Sequence, residues 1–145
     1  MGITLPFWAV YSSRAPFGLL DILACVLCLS GIALAYFADT QLYEFVSENE
    51  RLVFEKKKPK LLLDTGLWRY SRHPNHFAEQ LFWWGFSLFA ASVGQWWMLI
   101  GTFINSAALH VVMDMVEERM LRREERRSLY KEYQRTTSRC IPWFK

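Results

Sequence analysis

Charge of one sign is in short supply in this chain of 145 residues: 17 Lys and Arg stand against 14 Asp and Glu, a net charge of +3. An excess this small does not by itself point to nucleic acid, and no basic stretch with interleaved aromatics of the single-strand-binding kind is present. Cysteine is equally scarce. Cys25, Cys28 and Cys140 are an odd number without framework spacing, so there is no sign of a disulfide scaffold. Cys25 and Cys28 do form a CxxC, yet their neighbours are apolar and none lowers a thiol pKa; they read as small apolar helix residues. Residues 1–13 lack the charged start and small-residue cleavage site of a secretory signal, and ITLPFWAVYSS reads as the end of an apolar segment.

What the chain has is oil. Hydrophobic residues make up 52% and aromatics 17%, yet 21% are charged, so the two kinds must be segregated along a length that fits one domain. Residues 18–38 (GLLDILACVLCLSGIALAYFA) hold a single charge, Asp21. At about 1.5 Å of rise per residue such a run crosses the roughly 30 Å core of a bilayer. Further apolar stretches run over 76–91 and 96–113, and the polar turn Ser92-Val93-Gly94-Gln95 between them is flanked by Trp96 and Trp97, placed as interfacial aromatics are. The pair reads as a transmembrane hairpin whose first member is short. A soluble protein with a buried hairpin is the competing reading, but runs this long are hydrophobic on every side.

Cation placement fits three spans. Residues 39–75 hold seven Lys and Arg, the stretch after Met113 holds nine, and the one left over is Arg14. Three crossings put both charged segments on one side of the membrane, which the positive-inside rule makes cytosolic. The expectation is therefore an all-α integral membrane helical bundle forming a single domain over 1–145. It has a transmembrane helix at 18–38, a charged loop with an RHPN motif at 39–75, a transmembrane hairpin at 76–91 and 96–113, and an amphipathic tail at 114–145.

The loop opens as a helical continuation that mixes charges with Leu42, Phe45, Val46, Leu52, Val53 and Phe54, as a helix at a membrane surface does. Lys56, Lys57, Lys58 and Lys60 crowd around Pro59 and suit either lipid headgroups or an anionic cofactor phosphate. Asp64-Thr65-Gly66 is turn chemistry. In RHPN, Pro74 allows a helix to begin just after His73, Asn75 is the candidate N-cap, and Arg69, Arg72 and His73 surround a helix start that can take a phosphate or carboxylate. Glu79, one turn in, is a carboxylate on an apolar helix, either a functional group or a tie to the loop, with Arg72, Asn75 and His76 as its expected partners. His73, His76 and Glu79 are spaced three apart, but Pro74 breaks the register between the histidines, so no metal site is expected. His110 reads as a hydrogen-bonded histidine of the bundle. In the tail, Glu117, Glu118 and Arg119 mark the emergence of the third span. Arg122, Arg123, Arg126 and Arg127 read as surface and headgroup contacts, Tyr130 and Tyr133 share a face, and Trp143 and Phe144 are expected to anchor the end.

The strings GLWRYSRHPNHFAEQLFWWG (66–85) and EERML (117–121) with YKEYQRTTSRCIPWF (130–144) resemble the DUF1295 branch of the steroid 5-alpha-reductase C-terminal family, itself related to isoprenylcysteine carboxyl methyltransferases. The resemblance covers roughly Asp39 to the C-terminus. It implies a multi-span enzyme that binds NADPH at the cytosolic side and passes hydride to the C=C bond of a lipid or steroid-like enone. Asp39, Asn75 and Glu79 are expected at the cofactor, with Glu79 and His73 as catalytic candidates. The methyltransferase relatives imply instead S-adenosylmethionine and a substrate carboxylate held by Arg72, His73, Pro74, Glu118 and Arg119. This chain departs from the pattern in having His76 for a tyrosine and Ala78 for a glycine, and the family is about twice as long, so it resembles a truncated, C-terminal half. Three readings stand: an NADPH-dependent reductase of an endomembrane such as the endoplasmic reticulum, a methyltransferase on the same scaffold, and a non-catalytic or lipid-binding membrane protein.

Overall fold

A computed structural model of the chain describes Tyr11 and residues 16–143. The expectations for the remainder of residues 1–15 (the apolar opening and Arg14) and for Phe144 lie outside the described residues. The described chain is all-α, with four helices: α1 (Leu19–Phe54), α2 (Pro74–Ser92), α3 (Leu99–Arg122) and α4 (Glu124–Thr136), plus single 3-10 turns at Gly66–Arg69 and Trp96–Met98. Among the described residues, two helical stretches are long and apolar enough to cross a membrane, Leu19–Phe54 and Trp96–Arg122, against the three expected. The helix between them, α2, has 19 residues and carries Asn75, His76, Glu79 and Gln80 in its first two turns.

By packing the chain divides into two units, Met1–Ala33 with Ala78–Val112, and Leu34–Phe77 with Met113–Lys145. In the first, glycine and alanine let helix backbones meet. A Cβ on Gly31 would stand 2.8 Å from the Ala78 carbonyl oxygen and the Phe82 nitrogen; one on Gly85 would stand 2.8 Å from the Leu27 Cβ and 2.9 Å from the Cys28 nitrogen. Ala24, Ala90 and Ala91 are buried in the same unit. Polar side chains tie the unit across: Trp84 Nε1 donates to Ser106 Oγ at 3.2 Å, Ser106 to Gln80 Oε1 at 2.5 Å, Ser92 to Asp21 Oδ1 at 2.6 Å, and Ser87 pairs with Thr102. Asp21, the lone charge of the first apolar run, thus has partners. Gly94 turns the α2–α3 connection with φ +80°. His110 is exposed, its Nδ1 bonded to the Ser106 carbonyl at 3.0 Å.

In the second unit, α1 ends in a left-handed cap: the Lys57 amide bonds the Leu52 carbonyl at 2.8 Å and the Lys56 amide the Val53 carbonyl at 3.0 Å, with Lys56 at φ +56°. The chain then folds back along α1. Asn49 clamps the backbone of Lys60 through both its amide atoms (2.8 and 3.0 Å), Gln41 Oε1 accepts the Leu67 amide at 2.9 Å, and Trp68 Nε1 donates to the Ala38 carbonyl at 3.2 Å. The tail is bonded back onto the segment before α2, while the Trp143 side chain stays exposed. Residues 137–143 run beside 69–73: the Arg72 amide donates to Ser138 at 2.9 Å, Ser71 Oγ to Cys140 at 2.6 Å, and the Trp143 amide to Tyr70 at 3.2 Å.

Helix propensity alone makes Gly→Ala stabilising by up to about 1 kcal/mol. The contacts are with backbone at Gly31, and with backbone and the Leu27 Cβ at Gly85, none of which can swing aside, so Gly31→Ala and Gly85→Ala are each expected to destabilise by about 1–3 kcal/mol in the unfolding of detergent-solubilised protein.

Candidate functional site

Helix α2 begins at Pro74, the residue whose fixed φ and missing N–H suit a first helical position. The His73 carbonyl takes the first helical bond, from Phe77 at 3.0 Å, so His73 holds the cap position expected of Asn75. Asn75 sits one residue inside, its side-chain oxygen bonded to the His76 amide at 3.0 Å. Ser71, fully buried, accepts the His73 amide at 3.1 Å and fixes the turn that aims Arg72 and His73 inward.

They meet Glu117 of α3. Its carboxylate lies 3.3 Å from Arg72 Nη1 and 3.2 Å from His73 Nε2, accepts Gln134 Nε2 at 2.7 Å, and has Arg139 Nε at 3.9 Å. The Arg72 and Glu117 side chains are only 10% and 13% exposed, so water screens the pair poorly. Asp114 takes the other end of Arg139, at 2.5 Å from Nη2.

Beside this cluster lies a cavity of about 320 Å³. Leu42, Phe45, Leu62, Trp68, Val116 and Met120 form its apolar walls, Arg72, His73, Asn75 and His76 its polar end, and Tyr130 and Tyr133 face it from α4. Burial pushes the His73 imidazole down to about 4, against the opposing pull of Glu117, so it is neutral at pH 7 and Nε2–H donates to Glu117. Burial, with Glu117 adding to it, pushes the Tyr130 phenol up to about 12; burial pushes Tyr133 higher still. Tyr133 donates its hydroxyl to the Trp68 and Ser71 carbonyls. Among the described residues the Tyr130 hydroxyl makes no hydrogen bond, and Arg72 Nε is a buried donor without one.

Of the residues singled out by sequence, Arg72, His73 and Asn75 come together at the cavity. Asp39 is exposed on α1, and Glu79, in the first unit, accepts Trp83 Nε1 at 3.2 Å; neither lines the cavity. Of the partners expected for Glu79, Arg72 is engaged by Glu117 and Asn75 by the His76 amide. Glu118 and Arg119 are exposed, Glu118 with Arg122 at 3.7 Å. The acid in the cluster is the neighbour, Glu117, and helical phase explains it: Met113, Val116, Glu117 and Met120 share one stripe of α3, while Glu118 is turned about 100° away. Leu42 and Phe45, expected at a membrane surface, line the cavity instead.

In the unfolded chain His73 takes its proton near 6.5, in the folded protein near 4. Between these values the unfolded state binds more protons, so the stability His73 contributes is full above pH 6.5 and is lost as pH falls toward 4. The melting temperature of the solubilised protein is expected to drop over that window, with a shallower slope in His73→Asn. Superimposable pH profiles would contradict a neutral buried imidazole.

The family model described as "Protein of unknown function (DUF1295)" matches residues 1–137, reaching upstream of the motif strings at 66–85 and 117–144. A relative from Schizosaccharomyces pombe, "Uncharacterized protein C594.04c", is 31% identical over 146 residues, a match that takes up 87% of this chain and 40% of the relative. No solved structure matches. With RHPN at its capped helix start and a family match over nearly its whole length, the chain belongs to the DUF1295 family.

Proposed function

We propose that the chain is an integral membrane protein and an NADPH-dependent reductase that adds hydrogen across the C=C bond of a lipid or steroid-like enone. Membrane residence is supported by apolar side chains that point outward along the two long helices, among them Leu19 at 81% exposure, Leu29 at 66% and Ile104 at 66%. Water would penalise such a surface and hydrocarbon would not. Cations concentrated in 51–72 and 119–139 support a cytosolic, endomembrane-facing placement of those segments.

The reading rests chiefly on the cavity: an apolar-walled space with a polar end held from behind by Glu117. Its volume is at the low end of the roughly 300–1,000 Å³ usual for small-molecule sites, room for one ring-sized end of a dinucleotide. The chemistry of the donors fits an anionic group, since Arg72 Nε and Arg126 Nε are both buried without partners. A groove of about 780 Å³ continues past the shared residues Asn49, Lys60, Leu61 and Arg126, where the rest of the molecule can lie. NADPH supplies a hydride when bound. The protein's own part is to orient and to keep water out: Trp68, Leu62 and Met120 wall the cavity, and Arg72, fixed by Glu117, directs an anionic or carbonyl oxygen. Hydride at one carbon of the double bond must be matched by a proton at the other. Tyr130, protonated at neutral pH and without a hydrogen bond to the described residues, is the group we assign to that proton.

Titration of solubilised protein tests this. NADPH is expected to bind and to raise the melting temperature, and S-adenosylmethionine to do neither. Arg72→Gln should weaken NADPH by roughly 10-fold or more. Tyr130→Phe should leave binding intact and lower turnover of an enone by about 100-fold. A response to S-adenosylmethionine alone would assign the scaffold to methyl transfer, and no response to either, with helicity intact, would favour the non-catalytic reading.

A further inference from the structure

The groove beside the cavity carries a charge pattern that the cavity does not explain. Its floor is apolar, from Val46 and Val53 on one stripe of α1 together with Leu61, and Arg123 and Arg126 stand at its other side. These two lie one helical turn apart where α3 gives way to α4. Neither is in an ion pair with a described residue. Arg126 reaches only the Met120 thioether, Nη1 to Sδ 2.7 Å, a weak acceptor, and its Nε is buried with no partner. Arg123, at the N-cap of α4, makes no side-chain cap bond.

The other charges on the groove do not settle the pair. Lys60 Nζ is taken by Glu48 at 2.8 Å, while Glu50 and Glu125 line the groove without bonding either guanidinium. Two neighbouring guanidiniums that repel each other, one of them half-buried, are stabilised by a ligand with several anionic oxygens in a small volume. A phosphate monoester has three, and the planar fork of arginine matches them. The α1 stripe sits among Glu44, Glu48, Glu50 and Arg51, a density of charge that belongs in water, where a soluble ligand can reach the groove.

We infer that Arg123 and Arg126 hold the phosphate monoester of the dinucleotide in this groove and thereby select NADPH over NADH. The inference rests on the cofactor reading above. It locates the discriminating contact where the groove meets the cavity, at Arg126, which lines both, and Arg123, which lines the groove alone, residues that sequence alone assigns to the surface.

The test is a fluorescence titration of the solubilised full chain with NADPH and with NADH. Wild type should prefer NADPH by a factor on the order of 10–100. Arg123→Gln and Arg126→Gln should each cut that preference by roughly 10-fold through weaker NADPH binding, with NADH unchanged. Arg123 is exposed, so its variant is expected to fold even where Arg126→Gln, which loses packing on Met120, does not. If NADPH binds and the preference survives in the Arg123→Gln protein, the groove is not the phosphate seat, while the cofactor reading stands. If wild type binds neither dinucleotide, both readings fall. If Arg123→Gln keeps its nucleotide preference but loses a melting-temperature rise given by short-chain phosphatidate in wild type, the groove belongs to lipid and the inference is overturned.

Discussion

A carboxylate nearly closed off from water needs donors in place of water, and Glu117 is met by four: Arg72, His73, Gln134 and, at longer range, Arg139. These come from three stretches of chain that are far apart in sequence: the turn before α2, helix α4 and the tail. Desolvating the partners separately would be costly, and together they satisfy one another. The cluster therefore acts as a condition on the fold of the second unit. The cavity exists where it does because Arg72 and His73 are drawn toward α3 and the tail is drawn along 69–73.

That arrangement also sorts the polar groups by availability. Tyr133 is committed to two backbone carbonyls, Asn75 to the neighbouring amide, and His73 to Glu117. Among the described residues lining the cavity, the Tyr130 hydroxyl, Arg72 Nε and Arg126 Nε make no hydrogen bond. A protein that spends most of its buried donors on its own backbone and leaves a few beside a cavity keeps those few available to a ligand. Neutral His73 fits a positioning role here, since its proton is engaged with Glu117 rather than offered to a ligand.

Much of the helical layout was legible in the sequence because it is local. Apolar runs at 18–38 and 96–113 gave two helices long enough to cross a membrane, and Pro74 fixed the start of α2. The cap was misplaced by two residues because Pro74 itself takes the first helical position and leaves His73 as the residue before it. Glu117 could have been found by counting helical phase from Met113 to Met120; the acidic–basic pair Glu118–Arg119 drew attention because it matched a family pattern by position. The cavity itself was beyond sequence reading. Leu42, Leu62, Trp68, Val116 and Tyr130 come from separate segments, and no local periodicity announces that they converge. The pairing of 137–143 with 69–73 was hidden for the same reason: backbone hydrogen bonds between distant segments leave no mark on side-chain pattern.

The most direct test of this account is the coupling between Glu117 and Arg72, measured by a double-mutant cycle of Glu117→Gln and Arg72→Met in reversible unfolding of the solubilised chain. A shared buried pair predicts an interaction of about 2–3 kcal/mol, with the double variant more stable than the two single losses imply. Additivity to within about 0.5 kcal/mol would mean that the two side chains do not depend on each other, and the cluster would lose its place at the centre of the structure.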